Sequence, residues 1–588
     1  MRDASLLQRL SVSRWIGARP SRLWILLGIA GATLFLFGLA NHGLWGAQEP
    51  YVGGIIREMA DSGDWVVPTL NGAPYLEKPP LYYLVGALVA RVAHSFSPWV
   101  LRLPSALFAL GTMAWIAWLA CRRQSPAAGW WAAFCLGTSD LFFRVGHMAL
   151  VDMALAFAVS LGLGCAWLAF AEPERVDRWA NGVGVSLGLS FLAKGLLGPL
   201  LILLPLGATL ALPDGRRFLG RLLKPRWGWA CGLLLGLGWI VLLYARGGRP
   251  CLEEAMIRNT LGRFLQSSRW TPRTGAPGEH REHALFYLTH SPFNLLPWLF
   301  LAGTAVIASL RAFRPGGRRA ADLFLPLALV LDTLLLSVSR MRRATYFLPL
   351  IPIIFLQTGL WLDRRIRTAE AAARPGDRGL AVLLGITGTG VLLAALAGPW
   401  LLVREYRIPW AGPLAFSAAV AVLGWVGGVA LGRKGYRLAM DTLLLVWGGG
   451  LLWLVFVFPV LRDPELRRVE GPFRLVRQYA RVTGAEIHEY ALAEADLGMA
   501  SLIVRRPMAP VDSLDALGRV LAQGGPRIVL APPGAPECDL AARFRGHVLQ
   551  PERPRCGQQG TGLLLILNEA AWRALPPAWS GLPAQPRP

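Results

Sequence analysis

The sequence predicts an α-helical protein that crosses a membrane many times and ends in a small α/β domain. Of its 588 residues, 54% are hydrophobic, and apolar runs recur between Arg22 and Pro459. A helix needs about 20 apolar residues to cross a bilayer, and these runs have that length. After Leu461 the pattern changes to short apolar runs separated by polar segments. We therefore expect a membrane domain over residues 1–460 and a soluble α/β domain over 461–588.

The apolar runs give about thirteen spans. The first run is too long for the apolar region of a secretory signal and lacks a small-residue cleavage site, so it is predicted to be retained. Residues 81–93 are too few to cross and predict a helix at the outer interface. The approximate spans are residues 23–40, 103–120, 128–143, 150–170, 181–193, 196–212, 228–245, 293–312, 322–338, 345–362, 379–402, 412–431 and 438–459.

The basic residues predict the orientation of the chain. A formal net charge of +24 would also suit a nucleic-acid-binding protein, but the arginines form short clusters between apolar runs. Membrane topology explains such clusters better, so no nucleic acid partner is expected. Five arginines precede the first span and place the N-terminus in the cytoplasm. With an odd number of spans, the loops 41–102 and 246–292 and the tail after Leu461 share the non-cytoplasmic face.

The tail contains three short apolar runs of the kind found in strands, at residues 501–504, 527–530 and 562–567. Residues 514–523 have a helical pattern. The alternation predicts the α/β domain. A disulfide between Cys538 and Cys556 is one alternative for the outer cysteines, and two free thiols are the other.

The loop over residues 41–80 is acidic in a basic chain. Its carboxylates are Glu49, Glu58, Asp61, Asp64 and Glu77, against only two basic residues, Arg57 and Lys78. Such a loop is either a solvated linker or part of an active site.

A second anomaly is a group of arginines on the predicted outer face, where basic residues are disfavoured. They are Arg340, Arg342 and Arg343 between two spans, and Arg258, Arg263, Arg269, Arg273 and Arg281 in another outer loop. One interpretation is a span count that is wrong by one. The other is an anion site, because guanidinium forks bind phosphate in a bidentate manner. Lys78, beside the rigid Pro79-Pro80 corner, would add a point charge to a clamp for a lipid phosphate.

Carboxylates and histidines on the same face extend this hypothesis. Asp152 opens a predicted span, either as a simple helix cap or as a group that handles an acceptor proton during glycosyl transfer. His280-x-x-His283 has the spacing of metal ligands on a helix, and Glu77 would add an oxygen. A solvated histidine cluster, which includes His290, is the alternative.

At these residues the chain resembles the lipid-phosphate-sugar-dependent transferases with the GT-C fold. It is most similar to the bacterial aminoarabinose transferases that act on lipid A and to the protein O-mannosyltransferases. The matching segments are residues 56–59, 62–65, 70–72, 75–80, 102–105, 152–153, 193–195, 280–287, 296–298 and 339–349. Each segment is weak alone, whereas their order and spacing together are specific.

The resemblance implies roles for single residues. Lys78, Tyr346, Arg342 and its neighbours Arg340 and Arg343 would hold the phosphate of a polyprenyl-phosphate sugar, and Tyr75 and Tyr82 would line the cavity. Arg263, from the other outer loop, is a further candidate for binding this substrate. Glu77 and His280 match a metal-binding pair, for Zn²⁺ or for Mg²⁺ or Mn²⁺. Asp152 matches a second acidic site residue. The location implied is a bacterial inner membrane with a periplasmic tail, and we expect a monomer that needs no nucleotide.

One position departs from the family. Its first loop normally begins with Asp-Glu, where the aspartate is the key carboxylate, and an Arg-Tyr pair follows. Here the residues are Gln48-Glu49-Pro50-Tyr51-Val52. Three alternatives remain open: Glu49 acts as the base, Asp152 does so, or the protein binds the donor without transferring its sugar. A phosphate acceptor, already anionic, would let Gln48 serve as a hydrogen-bond partner.

The main hypothesis is therefore an inverting glycosyltransferase that moves a hexose or pentose from undecaprenyl phosphate to a lipid A-type or other envelope acceptor. The alternatives are a catalytically altered binder of the donor lipid and a transporter or flippase for an anionic lipid. Transporters keep charges at the bilayer midplane, often in paired repeats. Lys194, within an apolar stretch, is the residue that best suits a transporter.

Overall fold

The computed structural model describes residues 11–44, 46, 48–212, 215–224, 226–262, 283, 285–311, 320–339, 342–371, 377–406, 411–432, 435–532, 547–549 and 564–574. The chain forms two compact units. The helical unit comprises Met1–Leu39, Leu76–Tyr82 and Arg102–Val457, and the mixed unit comprises Ala40–Tyr75, Tyr83–Leu101 and Phe458–Pro588. The boundary near residue 460 stays a prediction, and the helix Tyr436–Thr483 runs across it.

The helical unit is built mainly from apolar helices. Its helices are Val12–Ala18, Ser21–Leu36, Pro98–Arg123, Pro126–Gly137, Asp140–Gly146, Asp152–Ala171, Val176–Lys194, Leu197–Ala208, Gly215–Leu222, Trp227–Leu252, Phe286–Thr289, Leu299–Leu310, Ala320–Val338, Ile351–Ala371, Arg378–Tyr406, Ala411–Gly432 and the first part of Tyr436–Thr483. Tighter 3₁₀ turns are formed by Pro173–Arg175, Thr209–Ala211, Ser291–Leu295 and Ala344–Leu350, and a π-helical segment by Glu253–Gly262.

Among the described residues, eight helices are long and apolar enough to cross a membrane, and four shorter apolar helices accompany them. The predicted membrane class is thus confirmed, and each predicted span falls on helical structure. The span predicted at 128–143 is divided in two, because Ser139 has an extended backbone (ψ 145°) between Pro126–Gly137 and Asp140–Gly146. Leu81–Ala93 is a helix of 13 residues, as predicted. The count of thirteen spans and the orientation stay predictions.

Glycine contacts bring two helices of this unit close together. A Cβ atom added to Gly184 would lie 2.6 Å from backbone atoms of Gly228, and one added to Gly188 would lie 2.6 Å from the carbonyl of Gly232. Small residues at such positions allow helix backbones to approach closely in a membrane protein. This contact fixes the helix Val176–Lys194, whose last residue enters the functional site.

The mixed unit contains most of the acidic loop over residues 41–80. Residues Gln48–Ser62 form a helix of 15 residues. The reason is helical spacing of apolar residues: Val52, Ile55, Ile56 and Met59 are at most 1% exposed. A short hairpin, β1 (Thr69–Leu70) and β2 (Ala73–Pro74), follows.

The C-terminal part of the mixed unit is a sheet with flanking helices. Its strands are β3 (Glu486–Glu489), β4 (Ala509–Pro510), β5 (Arg527–Ala531), β6 (His547–Leu549) and β7 (Leu564–Leu567), in the order β4-β3-β5-β7-β6. β3 is parallel to β4 and β5, whereas β7 is antiparallel to β5 and β6. Its helices are Glu494–Ile503, Leu514–Ala522 and Glu569–Arg573.

One of the three strand predictions in the tail, at residues 501–504, is wrong. Residues 501–503 end the helix Glu494–Ile503, which packs along Gln48–Ser62. The contact is close at Gly498, where an added Cβ would lie 2.3 Å from the backbone of Pro50. Packing against another helix, rather than local β propensity, decides the structure of this run.

Candidate functional site

A cavity of about 330 Å³ lies inside the helical unit. Leucine side chains, Trp239 and Met256 form most of its wall, and its polar residues are Glu77, Lys78, Lys194, Asn259, Ser339 and Tyr346. Leu196 and Leu200 line it and remain 44% and 42% exposed, so part of the apolar wall is open at the surface of the unit. An apolar pocket with a few converging polar groups is typical of a binding site for an amphipathic ligand.

Lys194 reaches the cavity from the C-terminal end of a helix. The helix Val176–Lys194 stops because Gly195 adopts a positive φ of 64°. The Nζ atom of Lys194 forms an ion pair with Oδ1 of Asp152, which begins the preceding α-helix, Asp152–Ala171, and both side chains are only 6% exposed. The pair explains how a lysine and an aspartate are tolerated in an apolar environment.

Lys78 provides the second ammonium group. Its Nζ atom lies 2.6 Å from Oε1 of Glu77, and the two side chains are 14% and 12% exposed. Pro79 and Pro80 follow directly and restrict the backbone. The site therefore contains two ammonium–carboxylate pairs, each partly or fully removed from water.

Tyr346 connects the two lysines. It lies in the 3₁₀ turn Ala344–Leu350, and its ring centroid is 4.0 Å from the Nζ atom of Lys194. The positive charges of Lys194, Lys78 and Arg343 lie near enough to interact electrostatically with its hydroxyl group. A phenol hydroxyl in such surroundings is placed to donate a hydrogen bond to an anion.

Tyr287 supports this turn from outside the spanning helices. Its hydroxyl donates a hydrogen bond of 3.3 Å to the carbonyl of Arg343, and its ring stacks on Phe347 at 6.0 Å. Burial raises the pKa of Tyr287, so the hydroxyl stays neutral and remains a donor.

The two described arginines of the predicted clamp have different partners. Arg342 donates from its guanidinium group to the carbonyl of Ser337, at 2.8 and 3.3 Å, near the end of the helix Ala320–Val338. The Nε atom of Arg343 is buried and has no hydrogen-bond partner among the residues that the structure describes. A buried donor without a partner is costly, and an anionic ligand would satisfy it.

The structure thus brings together five of the predicted site residues, Lys78, Glu77, Asp152, Tyr346 and Arg343, in one unit. Lys194 was not among them. The sequence does mark Lys194 as unusual, because a lysine within an apolar stretch needs an oppositely charged or polar partner. Only the fold shows that Asp152, 42 positions earlier, is that partner.

The remaining predicted residues lie elsewhere or cannot be placed. Tyr82 is fully buried in the helical unit and shares a hydrogen bond of 2.9 Å with Ser105. Tyr75 belongs to the mixed unit, where its hydroxyl donates to Glu494 at 3.1 Å. Gln48 and Glu49 begin a helix of the mixed unit, and Glu49 is fully buried. Five predicted residues lie outside the described residues: Arg263 and Arg340 of the clamp, His280 of the metal site, and the cysteines Cys538 and Cys556.

The carboxylates of the acidic loop have two kinds of role: some stabilise the local structure, and one belongs to the functional site. Glu58 accepts hydrogen bonds from the backbone N–H groups of Asn71 and Gly72, at 2.8 and 3.1 Å, and from the Ser501 hydroxyl at 2.8 Å. Asp64 accepts from the backbone N–H groups of Val66 and Val67. These two acids stabilise turns, whereas Glu77 lines the cavity.

Comparison with known proteins identifies the fold and the enzyme class. Residues 29–241 match the family described as dolichyl-phosphate-mannose-protein mannosyltransferase. The chain is 28% identical over 495 residues to the undecaprenyl phosphate-α-4-amino-4-deoxy-L-arabinose arabinosyl transferase of Pseudomonas aeruginosa strain UCBPP-PA14, covering 82% of this chain and 83% of the relative. A similar enzyme of Pseudomonas fluorescens strain Pf0-1 is 27% identical over 84% of each chain.

Among solved structures, ArnT from Cupriavidus metallidurans bound to undecaprenyl phosphate has a similar fold. Its TM-score is 0.72 at 18% identity, with 95% of this chain and 99% of that chain covered. The apo form gives a TM-score of 0.70 at 19% identity, with 94% and 98% covered. This chain is a GT-C fold glycosyltransferase. The resemblance to the aminoarabinose transferases and protein mannosyltransferases is confirmed, as is the multi-pass membrane class of this glycosyltransferase.

Proposed function

We propose that this glycosyltransferase moves a sugar from a polyprenyl-phosphate donor to a lipid A-type or other envelope acceptor. The observation that supports this most is the convergence of Lys78, Lys194 and Tyr346 on one cavity with apolar walls. Ammonium and phenol groups bind phosphate oxygens, and apolar walls suit an isoprenoid chain. Because the donor sugar is already linked to a lipid, the reaction needs no nucleotide site.

The names of the relatives support the choice of donor. The Pseudomonas enzymes are arabinosyl transferases named for undecaprenyl phosphate-α-4-amino-4-deoxy-L-arabinose, and the Cupriavidus structure contains undecaprenyl phosphate. We propose an undecaprenyl phosphate-linked sugar as the donor of this chain, with 4-amino-4-deoxy-L-arabinose as the first sugar to test.

The paired lysines can hold the phosphate without losing their partners. An ammonium group has three N–H donors, so Lys78 can keep its contact with Glu77 while it donates to a phosphate oxygen. Lys194 can do the same beside Asp152. The unpartnered Nε of Arg343 gives one further donor. The carboxylates then position the cations before the donor enters.

In the proposed step, an acceptor oxygen attacks the anomeric carbon from the face opposite the lipid phosphate. A new glycosidic C–O bond forms while the bond between that carbon and the phosphate oxygen breaks, and the configuration inverts. The bonding electrons leave with the polyprenyl phosphate. Lys78, Lys194 and Tyr346 stabilise the negative charge that develops on it, which is the main way such a site lowers the barrier.

A hydroxyl acceptor must also lose a proton. Asp152 is already ion-paired with Lys194, and this pairing favours a role in positioning the lysine rather than in accepting the proton. From the sequence resemblance alone, we propose Glu49 as the base and Gln48 as a hydrogen-bond partner of the acceptor. An acceptor that is itself a phosphate monoester needs no base.

A divalent metal held by Glu77 and His280 is a separate part of the proposal. Glu77 offers a carboxylate at the cavity, and carboxylate oxygens are common ligands of divalent metals. Among the residues that the structure describes, no group of three or more metal-ligating side chains occurs. We expect dialysis against a chelator to lower transfer and added Zn²⁺ to restore it, with the metal content followed by mass spectrometry. Full activity at undetectable metal content would remove the metal from the proposal.

We also propose that the protein is a monomer in the bacterial inner membrane, with its N-terminus in the cytoplasm and its tail in the periplasm. The arginine clusters between the apolar runs support this orientation. Labelling of single cysteines from outside intact spheroplasts tests it. A cysteine introduced in the tail should react with a membrane-impermeant maleimide, and one introduced near Arg217 should react only after lysis. The reverse pattern would contradict the orientation.

The activity test uses purified full-length protein in lipid nanodiscs. Undecaprenyl phosphate-linked aminoarabinose and lipid A are supplied, and products are identified by mass. We expect a mass gain on lipid A. Lys78→Met should reduce the transfer rate by a factor of about 100, which is the effect expected from losing one charge-assisted contact to the leaving group. Lys224→Met is the matched control, because this lysine is exposed and lies outside the cavity.

Two results would contradict the proposed function. If the protein binds undecaprenyl phosphate but transfers none of a panel of linked sugars to any membrane lipid or protein, it is a donor-lipid binder. If it moves the lipid between leaflets without transfer, it is a transporter.

A further inference from the structure

Asn259 lies in the wall of the cavity and has no role in the phosphate clamp. It belongs to the π-helical segment Glu253–Gly262, which continues the apolar helix Trp227–Leu252. π-helical turns within α-helices are frequent at functional sites. The residue was absent from every site predicted from the sequence.

The orientation of its amide group is fixed. The Nδ2 atom of Asn259 donates to Oε1 of Glu254 at 3.2 Å. An ionised carboxylate only accepts hydrogen bonds, so the NH₂ group must face Glu254 and the oxygen must face away from it. Arg258 Nε lies 3.6 Å from the other oxygen of Glu254 and forms an ion pair with it, which helps to hold that carboxylate in place.

The amide oxygen is left without a partner. Oδ1 of Asn259 is buried and accepts no hydrogen bond from the part of the chain that the structure describes. Buried acceptors in folded proteins nearly always have a hydrogen-bond donor as partner. We therefore expect a ligand to supply the donor for this oxygen. The ligand in question is the one that enters the cavity.

The chemistry of the acceptor decides which part of the donor lipid it fits. An ionised phosphate oxygen is itself an acceptor and would be repelled by a carbonyl oxygen, and the isoprenoid chain offers no polar hydrogen. A sugar ring presents O–H groups, and an amino sugar also presents N–H groups. The amide oxygen of Asn259 thus complements the sugar and not the lipid phosphate.

We propose that Asn259 is a specificity-determining residue that accepts a hydrogen bond from a hydroxyl or amino group of the donor sugar. The inference rests on the proposed function and deepens it. It assigns sugar recognition to Asn259, separate from phosphate binding by Lys78, Lys194 and Tyr346. A site that requires a hydrogen-bond donor discriminates strongly against a ligand that lacks it.

The test compares affinities for undecaprenyl phosphate with and without a sugar. The purified full-length protein is titrated in nanodiscs with the free lipid phosphate and with the lipid carrying aminoarabinose, mannose or glucose. The ratio of the two dissociation constants isolates the contribution of the sugar. In the wild type we expect at least one sugar-linked lipid to bind more tightly than the free phosphate.

Asn259→Leu keeps the approximate shape of the side chain and removes the acceptor, and Asn259→Ala removes both. We expect both variants to bind free undecaprenyl phosphate within about twofold of the wild type and to lose about tenfold in affinity for the preferred sugar-linked lipid, the value of one hydrogen bond. Ile257→Leu, in the same segment and 37% exposed, is the control for disturbance of the backbone and should leave the ratio unchanged.

Three outcomes would overturn the inference, and they differ from one another. If the wild type binds no polyprenyl phosphate, the proposed function fails and the inference fails with it. If both lipids bind but every linked sugar leaves the affinity of the wild type unchanged, no sugar contact exists. If the Asn259 variants keep the wild-type ratio, or lose affinity for the free phosphate to the same extent, Asn259 does not recognise the sugar although the proposed function stands.

Discussion

The Nζ atom of Lys194 lies 4.0 Å above the centroid of the Tyr346 ring while it also pairs with Asp152. A cation over an aromatic face is stabilised by about 0.5–2 kcal/mol, more when it is shielded from water. The ammonium group of Lys194 is thus held by two partners, the ring of Tyr346 and the carboxylate of Asp152. This arrangement presents the remaining N–H donors of a buried lysine to a ligand.

The first prediction separates the ring of Tyr346 from its hydroxyl. Tyr346→Phe keeps the contact with Lys194 but removes the donor for phosphate, so the affinity for undecaprenyl phosphate should fall by about tenfold. Tyr346→Leu removes both and should cost about tenfold more. Titrations with the lipid measure these changes. Equal losses in the two variants would show that the hydroxyl alone matters.

The second prediction concerns the buried pair Lys194 and Asp152. Lys194→Met leaves the carboxylate buried without its cation, which should lower the free energy of unfolding by about 3–5 kcal/mol. The double variant Lys194→Met/Asp152→Asn removes the stranded charge and should recover much of this loss without recovering phosphate affinity. Thermal unfolding and lipid titration, compared in a double-mutant cycle, measure both effects. A double variant as unstable as Lys194→Met would argue against the pair.

The third prediction assigns a structural role to Glu58 in the mixed unit. Its carboxylate holds the hairpin turn at Asn71, whose φ is 54°, and at Gly72, whose φ is 76°. Glu58→Ala leaves two backbone N–H groups and the Ser501 hydroxyl without this acceptor, which should cost about 2–4 kcal/mol. The expected result is faster proteolysis of the mixed unit. Asp61→Ala, whose carboxylate is half exposed and contacts only Arg57 among its described partners, should leave the rate unchanged.

The fourth prediction is a pH dependence in the mixed unit. Burial raises the pKa of Asp496 from 3.8 to about 6. Because the folded state binds this proton more tightly than the unfolded state, the contribution of Asp496 to stability is greatest below pH about 4 and is lost as the pH rises through about 6. Asp496→Asn should remove this dependence and raise the free energy of unfolding by about 1–2 kcal/mol at pH 8. Thermal unfolding between pH 4.5 and 8 measures the difference. A variant with the pH profile of the wild type would show that Asp496 does not titrate in this range.

Much of the membrane architecture could be predicted from the sequence, because a span is a local property. A run of apolar residues has no alternative to a helix in a bilayer, since its backbone groups must bond to each other. The predicted spans therefore coincide with helices. The mixed unit is harder to predict. The sequence pattern predicts a loop over residues 48–62 and a strand at 501–504, yet residues 48–62 and 501–503 are helical because the two helices bury apolar faces against each other.

In the site, too, some residues could be predicted from the sequence and others could not. Glu77-Lys78 and Tyr346 could be selected from local motifs, and the cavity contains them. Lys194 stands out in the sequence as a lysine within an apolar stretch, but its place in the site depends on Asp152 from another helix. Asn259 carries no local motif, because its role depends on the orientation set by Glu254 in a π-helical segment. The arginines Arg263 and Arg340, and His280, remain predictions.

The sequence by itself determined the membrane class, the positions of the apolar helices and the residues with phosphate-binding chemistry, because these follow from composition and short spacings along the chain. The tertiary structure alone decided which charges meet. Helices remote in sequence bring Asp152 to Lys194 and both to Tyr346, and a buried charge is stable only where such a partner lies within contact distance. That requirement is three-dimensional, and no local pattern of residues contains it.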